Sequence, residues 1–303
     1  MSRQSRIIVF CGKGGVGKTT LSLALGLRHA IEGRKVVVVS SHPLAELSVS
    51  VSLEGLAERL PEAARNLFVV HLDPREMLAE LVRKHFPVQW VARAVLESSI
   101  YQNLVEVAPG LKEFYFLARL QQLAERQAAA GDAPDYDLLV WDAPATGHFL
   151  STLRSARAFE TYLTGPLASA GAELARFFSS AANITLLPTT TLEEMAIEET
   201  VEMCRALEHD FQLQPHRVLL NLASPLIDAP EADVQSLAEA VEQSGDPALR
   251  FAFDRGMLER ERAIELRLAL RASTVAVERA RGAQTDIDLL ETLGRRLAAQ
   301  AAA

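Results

Sequence analysis

The stretch "CGKGGVGKTT" (Cys11–Thr20) follows an apolar, β-branched run, "RIIVF" (Arg6–Phe10), and leads into text of helical period, "TTLSLALGLRHAI" (Thr19–Ile31). Gly12, four residues, then Gly17, Lys18 and Thr19 have the Walker A spacing. In such a turn the backbone N–H groups wrap an anion, because glycines tolerate positive φ and close approach, and the N-terminus of the next helix adds its partial positive charge. Gly12, Lys13, Gly14, Gly15, Val16, Gly17, Lys18, Thr19 and Thr20 are therefore the candidate phosphate-binding residues. Lys18 is expected to reach the terminal phosphates as a point charge, and the Thr19 hydroxyl to ligate Mg²⁺. Strand, glycine loop and helix, in that order, is the context the motif requires.

Composition sets the class. With 303 residues, 49% of them apolar, the chain can bury the core of one large α/β domain. A net charge of −8 speaks against a nucleic-acid binder, whose affinity comes from clustered Lys and Arg. Cys11 and Cys204 are the only cysteines, too few for a disulfide framework or a Cys-X-X-Cys metal site, which fits a reducing cytosol. No apolar run approaches the ~18 residues of a membrane span, and the first strand begins too early to leave room for a signal peptide. The expectation is a soluble, cytoplasmic protein with no integral membrane segment and no nucleic-acid partner.

Apolar, β-branched runs recur as "KVVVVS" (Lys35–Ser40), "LFVVHL" (Leu67–Leu72), "YDLLVWD" (Tyr136–Asp142), "NITLLP" (Asn183–Pro188) and "HRVLLNL" (His216–Leu222). Short strands apolar on both faces, separated by helices, predict an α/β fold with a mostly parallel sheet covered on both sides. Ligands of such sheets lie beyond the carboxyl ends of the strands, where "SSHP" (Ser40–Pro43), "DAPATGH" (Asp142–His148) and Asn221 should join the glycine loop. From Pro74 to about Ala130 only helix-period text occurs, which reads as a helical insertion (74–130) within a single P-loop domain spanning 1–303. Its apolar positions, Leu78, Leu81, Phe86, Trp90, Leu104, Leu111, Phe114, Phe116, Leu117 and Leu120, suit either a protein client's groove or, more simply, packing among helices. Near the C-terminus, Leu289, Leu290, Leu293 and Leu297 with Arg295 and Arg296 suggest a membrane-surface helix, but Asp286, Asp288 and Glu291 cancel its basic charge, so docking on the core is expected.

Lys13 is surplus to a loop that already has Lys18. The sequence G-K-G-G-V-G-K-T-T resembles the deviant Walker A group of P-loop ATPases, a SIMIBI-type nucleotide-binding fold. In that group the early lysine reaches across a dimer interface to the partner's nucleotide, and the resemblance implies this role for Lys13. Within the group, "DAPATGHFL" (Asp142–Leu150) is similar to the switch II stretch D-T-A-P-T-G-H of the ArsA family of arsenite-pump and tail-anchored-protein-targeting ATPases. The implied cofactors are ATP and Mg²⁺. Asp142 would serve the metal through a water, Gly147 would offer an N–H to the γ-phosphate, and Asn221 in "VLLNL" would hydrogen-bond the adenine. "APGLKEFYFLARL" (Ala108–Leu120) and "LPTTTLEEMAIEET" (Leu187–Thr200) resemble further family segments.

One switch departs from the family pattern. Switch I normally reads D-P-A-H-N-L, with an aspartate that orients the attacking water, whereas "SSHPLAEL" (Ser40–Leu47) puts His42 at that aspartate and Ala45 at the histidine, keeping Pro43. A neutral imidazole can accept a proton; an imidazolium can only donate one. Slow hydrolysis is expected; a substitute carboxylate from Glu46, one turn on, is the less favoured alternative. The resemblance thus implies a nucleotide-dependent dimeric ATPase. The alternatives are a weak subunit in a heterodimer with an active paralogous ATPase and a ParA/MinD-like positioning ATPase.

Overall fold

In the computed structural model all six apolar runs form strands: β1 (Ile7–Gly12), β2 (Val36–Ser40), β3 (Leu67–His71), β4 (Leu138–Ala145), β5 (Ile184–Thr190) and β6 (Arg217–Ala223). A seventh, β7 (Ser273–Glu278), has no counterpart among the expected strands. Its text, "STVAVE", has polar ends and follows a long helix with only a short break, so its four central residues do not stand out from the periodic text before them. The structure describes residues 7–40, 59–73, 110–125, 136–215, 217–280 and 282–301, with positions 79, 83, 90, 93, 97 and 98 in addition.

The strands form one sheet in the order β3-β2-β4-β1-β5-β6-β7, and every pairing is parallel. The helices are α1 (Lys18–Ile31), α2 (Pro61–Asn66), α3 (Leu111–Ala124), α4 (Thr146–Tyr162), α5 (Pro166–Phe178), α6 (Glu194–Phe211), α7 (Glu231–Ser244), α8 (Pro247–Leu270) and α9 (Asp286–Ala301). From β1 the chain passes through α1 to β2 on one side, whereas β5 lies on the other side. The strand order therefore reverses at β1, and the loop after it opens into the crevice that such a reversal creates.

The two-residue period of a strand sorts side chains onto the two faces. Ile7, Val9, Cys11, Val37, Val39, Leu139 and Trp141 share one core with side chains of α3, α4, α5 and α6. Phe10, Val36, Val38, Leu138 and Val140 share the opposite core with α1 and α9. Burying each large apolar side chain contributes about 1.5–3 kcal/mol, which is why strands apolar on both faces require helices on both.

Of the 74–130 segment, the helix α3 is described. Its Phe114 stacks on Phe159 at 4.2 Å between centroids, and its Phe116 tilts against Trp141 at 5.4 Å. Phe114, Phe116, Leu117 and Leu120 are therefore core residues, and Leu111 packs against the same core. Trp90 is 75% exposed, while Leu78, Leu81, Phe86 and Leu104 lie outside the described residues.

Helix α9 docks on α1, as its acidic residues lead one to expect. Leu290, Leu293 and Leu297 are buried there, and Gly294 sits so close that an added Cβ would lie 2.6 Å from the Ala24 carbonyl oxygen. Among the described residues no helix is long and apolar enough to cross a membrane. Truncating the buried Leu290 to Ala is expected to cost about 2–5 kcal/mol in urea unfolding. A helix lying on a membrane would leave that midpoint unmoved.

Candidate functional site

Two neighbouring strands shape the glycine loop. A Cβ on Gly12, where φ is 142°, would run into the Thr189 carbonyl oxygen of β5. A Cβ on Gly17, where φ is 92°, would run into the Asn221 amide of β6. Both positions therefore exclude a side chain twice, by conformation and by space. An added Cβ on Gly14, on Gly15, or on Gly147 at the head of α4 would meet nothing within 4 Å.

Lys18 begins α1, and its buried ammonium donates to the carbonyl oxygens of Gly12 (3.0 Å) and Lys13 (2.8 Å). Desolvation pulls its pKa below the ordinary lysine value, against the attraction of Asp142, Cys11 and Glu199. The Thr19 hydroxyl donates to Asp142 Oδ2 at 2.7 Å, with Ser40 Oγ 3.5 Å from the same oxygen. Asp142 is itself 1% exposed within β4, which runs on to Ala145 and does not end at the aspartate as the sequence suggested. A hydroxyl paired with a carboxylate is a hard-oxygen donor set. It suits Mg²⁺, which keeps most of its waters and takes one or two protein oxygens beside phosphate.

Lys13 points elsewhere. Its ammonium lies 3.9 Å from Glu199 Oε2 on α6, with both side chains about a third exposed. An ion pair so exposed is worth only ~0–1 kcal/mol, so it orients the lysine without fixing it. Sequence reading did not single out Glu199 because it lies among Glu193, Glu194, Glu198 and Glu202, all alike in one dimension.

Asn221, expected to hydrogen-bond the adenine, donates its amide to the Val16 carbonyl oxygen at 2.8 Å and is buried. It therefore clamps the loop. The next residue, Leu222, has φ of 59° in a register shift between β6 and β7 and leaves 44% of its surface exposed. Beside this irregularity of β6 lies a cavity of about 320 Å³ lined by Leu222, Pro225, Phe251, Arg255, Glu259 and Arg279 among others. Its lining mixes apolar side chains with the charged groups of Arg255, Glu259 and Arg279. It draws on residues far apart in the chain, so no local signal marks it. His42, with Pro43, Ala45 and Glu46, lies outside the described residues.

The profile of the anion-transporting ATPase family, ArsA, matches residues 5–216. The chain belongs to this family. It is similar to a Prosthecochloris vibrioformis protein provisionally named an arsenical pump-driving ATPase, 33% identical over 151 residues, 49% of this chain and 35% of that protein. It is also similar to ATPase GET3 of Podospora anserina, 28% over 153 residues (50% and 43%), and to ATPase BagA of Mycobacterium tuberculosis, 26% over 246 residues (80% and 71%). The chain spans 35–52% of the length of the arsenical pump-driving relatives it matches. The ArsA match ends before Asn221 and the neighbouring cavity.

Two consequences are measurable. Asn221→Ala strands a buried loop carbonyl and should lower stability by about 1–3 kcal/mol in chemical denaturation. Burial raises both thiols, Cys204 to about 12 and Cys11 well above the ordinary value, so neither should react with a disulfide reagent at pH 8 until the chain unfolds. A thiol that keeps its proton in the folded state stabilises fully below the unfolded pKa. For Cys204 that contribution should fade as pH rises from about 9 to about 12.

Proposed function

We propose that this chain is a Mg·ATP-hydrolysing ATPase that works as a slow, nucleotide-dependent dimeric switch. The observation that carries this reading is the division of labour between the two lysines. Lys18 is enclosed by its own loop, whereas Lys13 extends out of that loop to a weak, exposed ion pair.

In this reading the loop amides and Lys18 bind the β- and γ-phosphates, and Thr19 and Asp142 hold Mg²⁺. The ion supplies charge neutralisation at the phosphate oxygens. The backbone N–H of Gly147 faces the terminal phosphate, and Asn221 keeps the loop in shape while bordering the base. Lys13 leaves Glu199 for the phosphates of a partner protomer, where a charge-assisted contact of about 1.5–3 kcal/mol outweighs the exposed pair it gives up. Dimerisation then depends on nucleotide, because a cation buried against the partner is favourable only while phosphate is there. The 74–130 segment, apart from the core-packing side chains of α3, is the part of the chain offered to a protein client.

His42 is the reason for expecting slow turnover, since an imidazole that takes up a proton can no longer accept one from the attacking water. The same substitution favours a second reading, a weakly active subunit that pairs with an active paralogue.

Steady-state Mg-ATPase assays and light scattering with a nonhydrolysable ATP analogue test both readings. Lys18→Ala should lose about a hundredfold or more in ATP affinity, the worth of two charge-assisted hydrogen bonds. Lys13→Ala should keep the affinity of a single protomer for ATP but lose the analogue-induced dimer. His42→Asp should raise kcat about tenfold or more. A fast wild-type enzyme slowed by the aspartate defeats the slow-switch reading, and a wild type that stays monomeric with the analogue until a paralogue is added favours the heterodimer.

A further inference from the structure

Thr146 is the first residue of α4, and its hydroxyl is buried with no hydrogen-bond partner. The residue is only 7% exposed. Among the described residues, the other fully buried serines and threonines donate to an oxygen: Ser22, Thr152, Ser155, Thr189, Thr190 and Thr200 to carbonyls, and Ser40 to the Asp142 carboxylate; the Ser179 hydroxyl, at the end of α5 in a partly exposed residue, shares with Thr146 the lack of a partner. Those within helices fold back onto the preceding turn, as Thr152 does onto the His148 carbonyl at 2.8 Å. Thr146 has no preceding turn. Because the Cα–Cβ bonds of a helix tilt toward its N-terminus, the Thr146 side chain is directed into the space ahead of α4.

That space faces the phosphate loop. Ala145, the N-cap of α4, is the register partner of Gly12 across the β1–β4 pair, and it provides no side-chain cap for the helix. Asp142, three residues earlier, holds Thr19. Gly147, one residue later, meets nothing on the side where a Cβ would stand. An uncapped helix head, an open glycine and an unspent buried hydroxyl therefore converge beside the point where the loop begins.

We propose that the Thr146 hydroxyl donates a hydrogen bond to the terminal phosphate of the bound nucleotide and is a specificity-determining residue that separates triphosphate from diphosphate. The proposal rests on the reading of the glycine loop as an ATP site and adds a side-chain ligand at its far wall. A buried donor with no protein acceptor disfavours the empty site and is relieved when an anionic oxygen arrives. The diphosphate has no phosphoryl group at that position, so it gains nothing.

The test is calorimetric titration of the full chain with Mg·ADP and with the Mg²⁺ complex of a nonhydrolysable ATP analogue, for wild type, Thr146→Val, Thr146→Ala and Thr146→Ser. Valine keeps the shape and removes the donor; serine keeps the donor. Valine and alanine should weaken the triphosphate analogue about tenfold to a hundredfold, leave ADP unchanged, and be largely rescued by serine. Without nucleotide, Thr146→Val should melt no lower than wild type, because it deletes an unpartnered polar group and not a bond. Wild-type binding of both nucleotides with a ratio that valine and alanine leave unchanged, or an equal loss for both, overturns the assignment of Thr146 alone. A wild type that binds neither nucleotide overturns the reading of the loop as well.

Discussion

The phosphate loop is backbone with almost no side chains of its own to hold it, so its shape depends on what presses against it. Two contacts do this. At Gly12 the β5 carbonyl of Thr189 leaves no room for a Cβ, and at the other end Asn221 of β6 donates to the Val16 carbonyl and fills the space where a Gly17 Cβ would stand. Both come from strands on the same side of β1, the side to which the sheet order reverses. The parallel sheet is thus the mould of the loop as well as its support. A loop built this way presents preorganised N–H groups without reorganising when an anion arrives.

Charge is distributed unevenly over that mould. Lys18 is desolvated and held by two carbonyls, Thr19 is tied to a buried Asp142, and Lys13 alone remains where solvent screens it. Burial makes the first three expensive to misplace, and exposure makes the fourth easy to redirect. A conformational switch needs both properties in one site: a rigid part that recognises the ligand and a weakly held part whose partner can change.

The ArsA family match covers β1 to β5 and stops at the start of β6, yet the clamp on the loop and the cavity beside it come from β6 and beyond. Residues 217–280 therefore complete a site whose glycine loop and "DAPATGH" segment lie earlier in the chain. Leu222 shows how: a non-glycine residue in the left-handed region shifts the register of β6 immediately after Asn221, so that the clamp and a cavity-lining residue follow one another along the strand.

The sequence by itself determined the parallel sheet, six of its seven strands and the strand–loop–helix order around the glycine loop, because apolar runs and a strand–loop–helix motif are local signals. It also determined that the last helix would dock, since alternating charge along a helix is read from neighbours in the chain. Strand β7 escaped because an edge strand needs only half the burial of a central one, and its polar ends blur into the helix before it. Only the tertiary structure decided that Glu199, one of many glutamates, is the partner of Lys13, that Asn221 grips the loop before it meets any base, that Phe114 and Phe116 serve the core, and that the Thr146 hydroxyl has no partner. Each of these is a relation between residues dozens to hundreds of positions apart, or the lack of one. Such relations are fixed by packing, which no local pattern records.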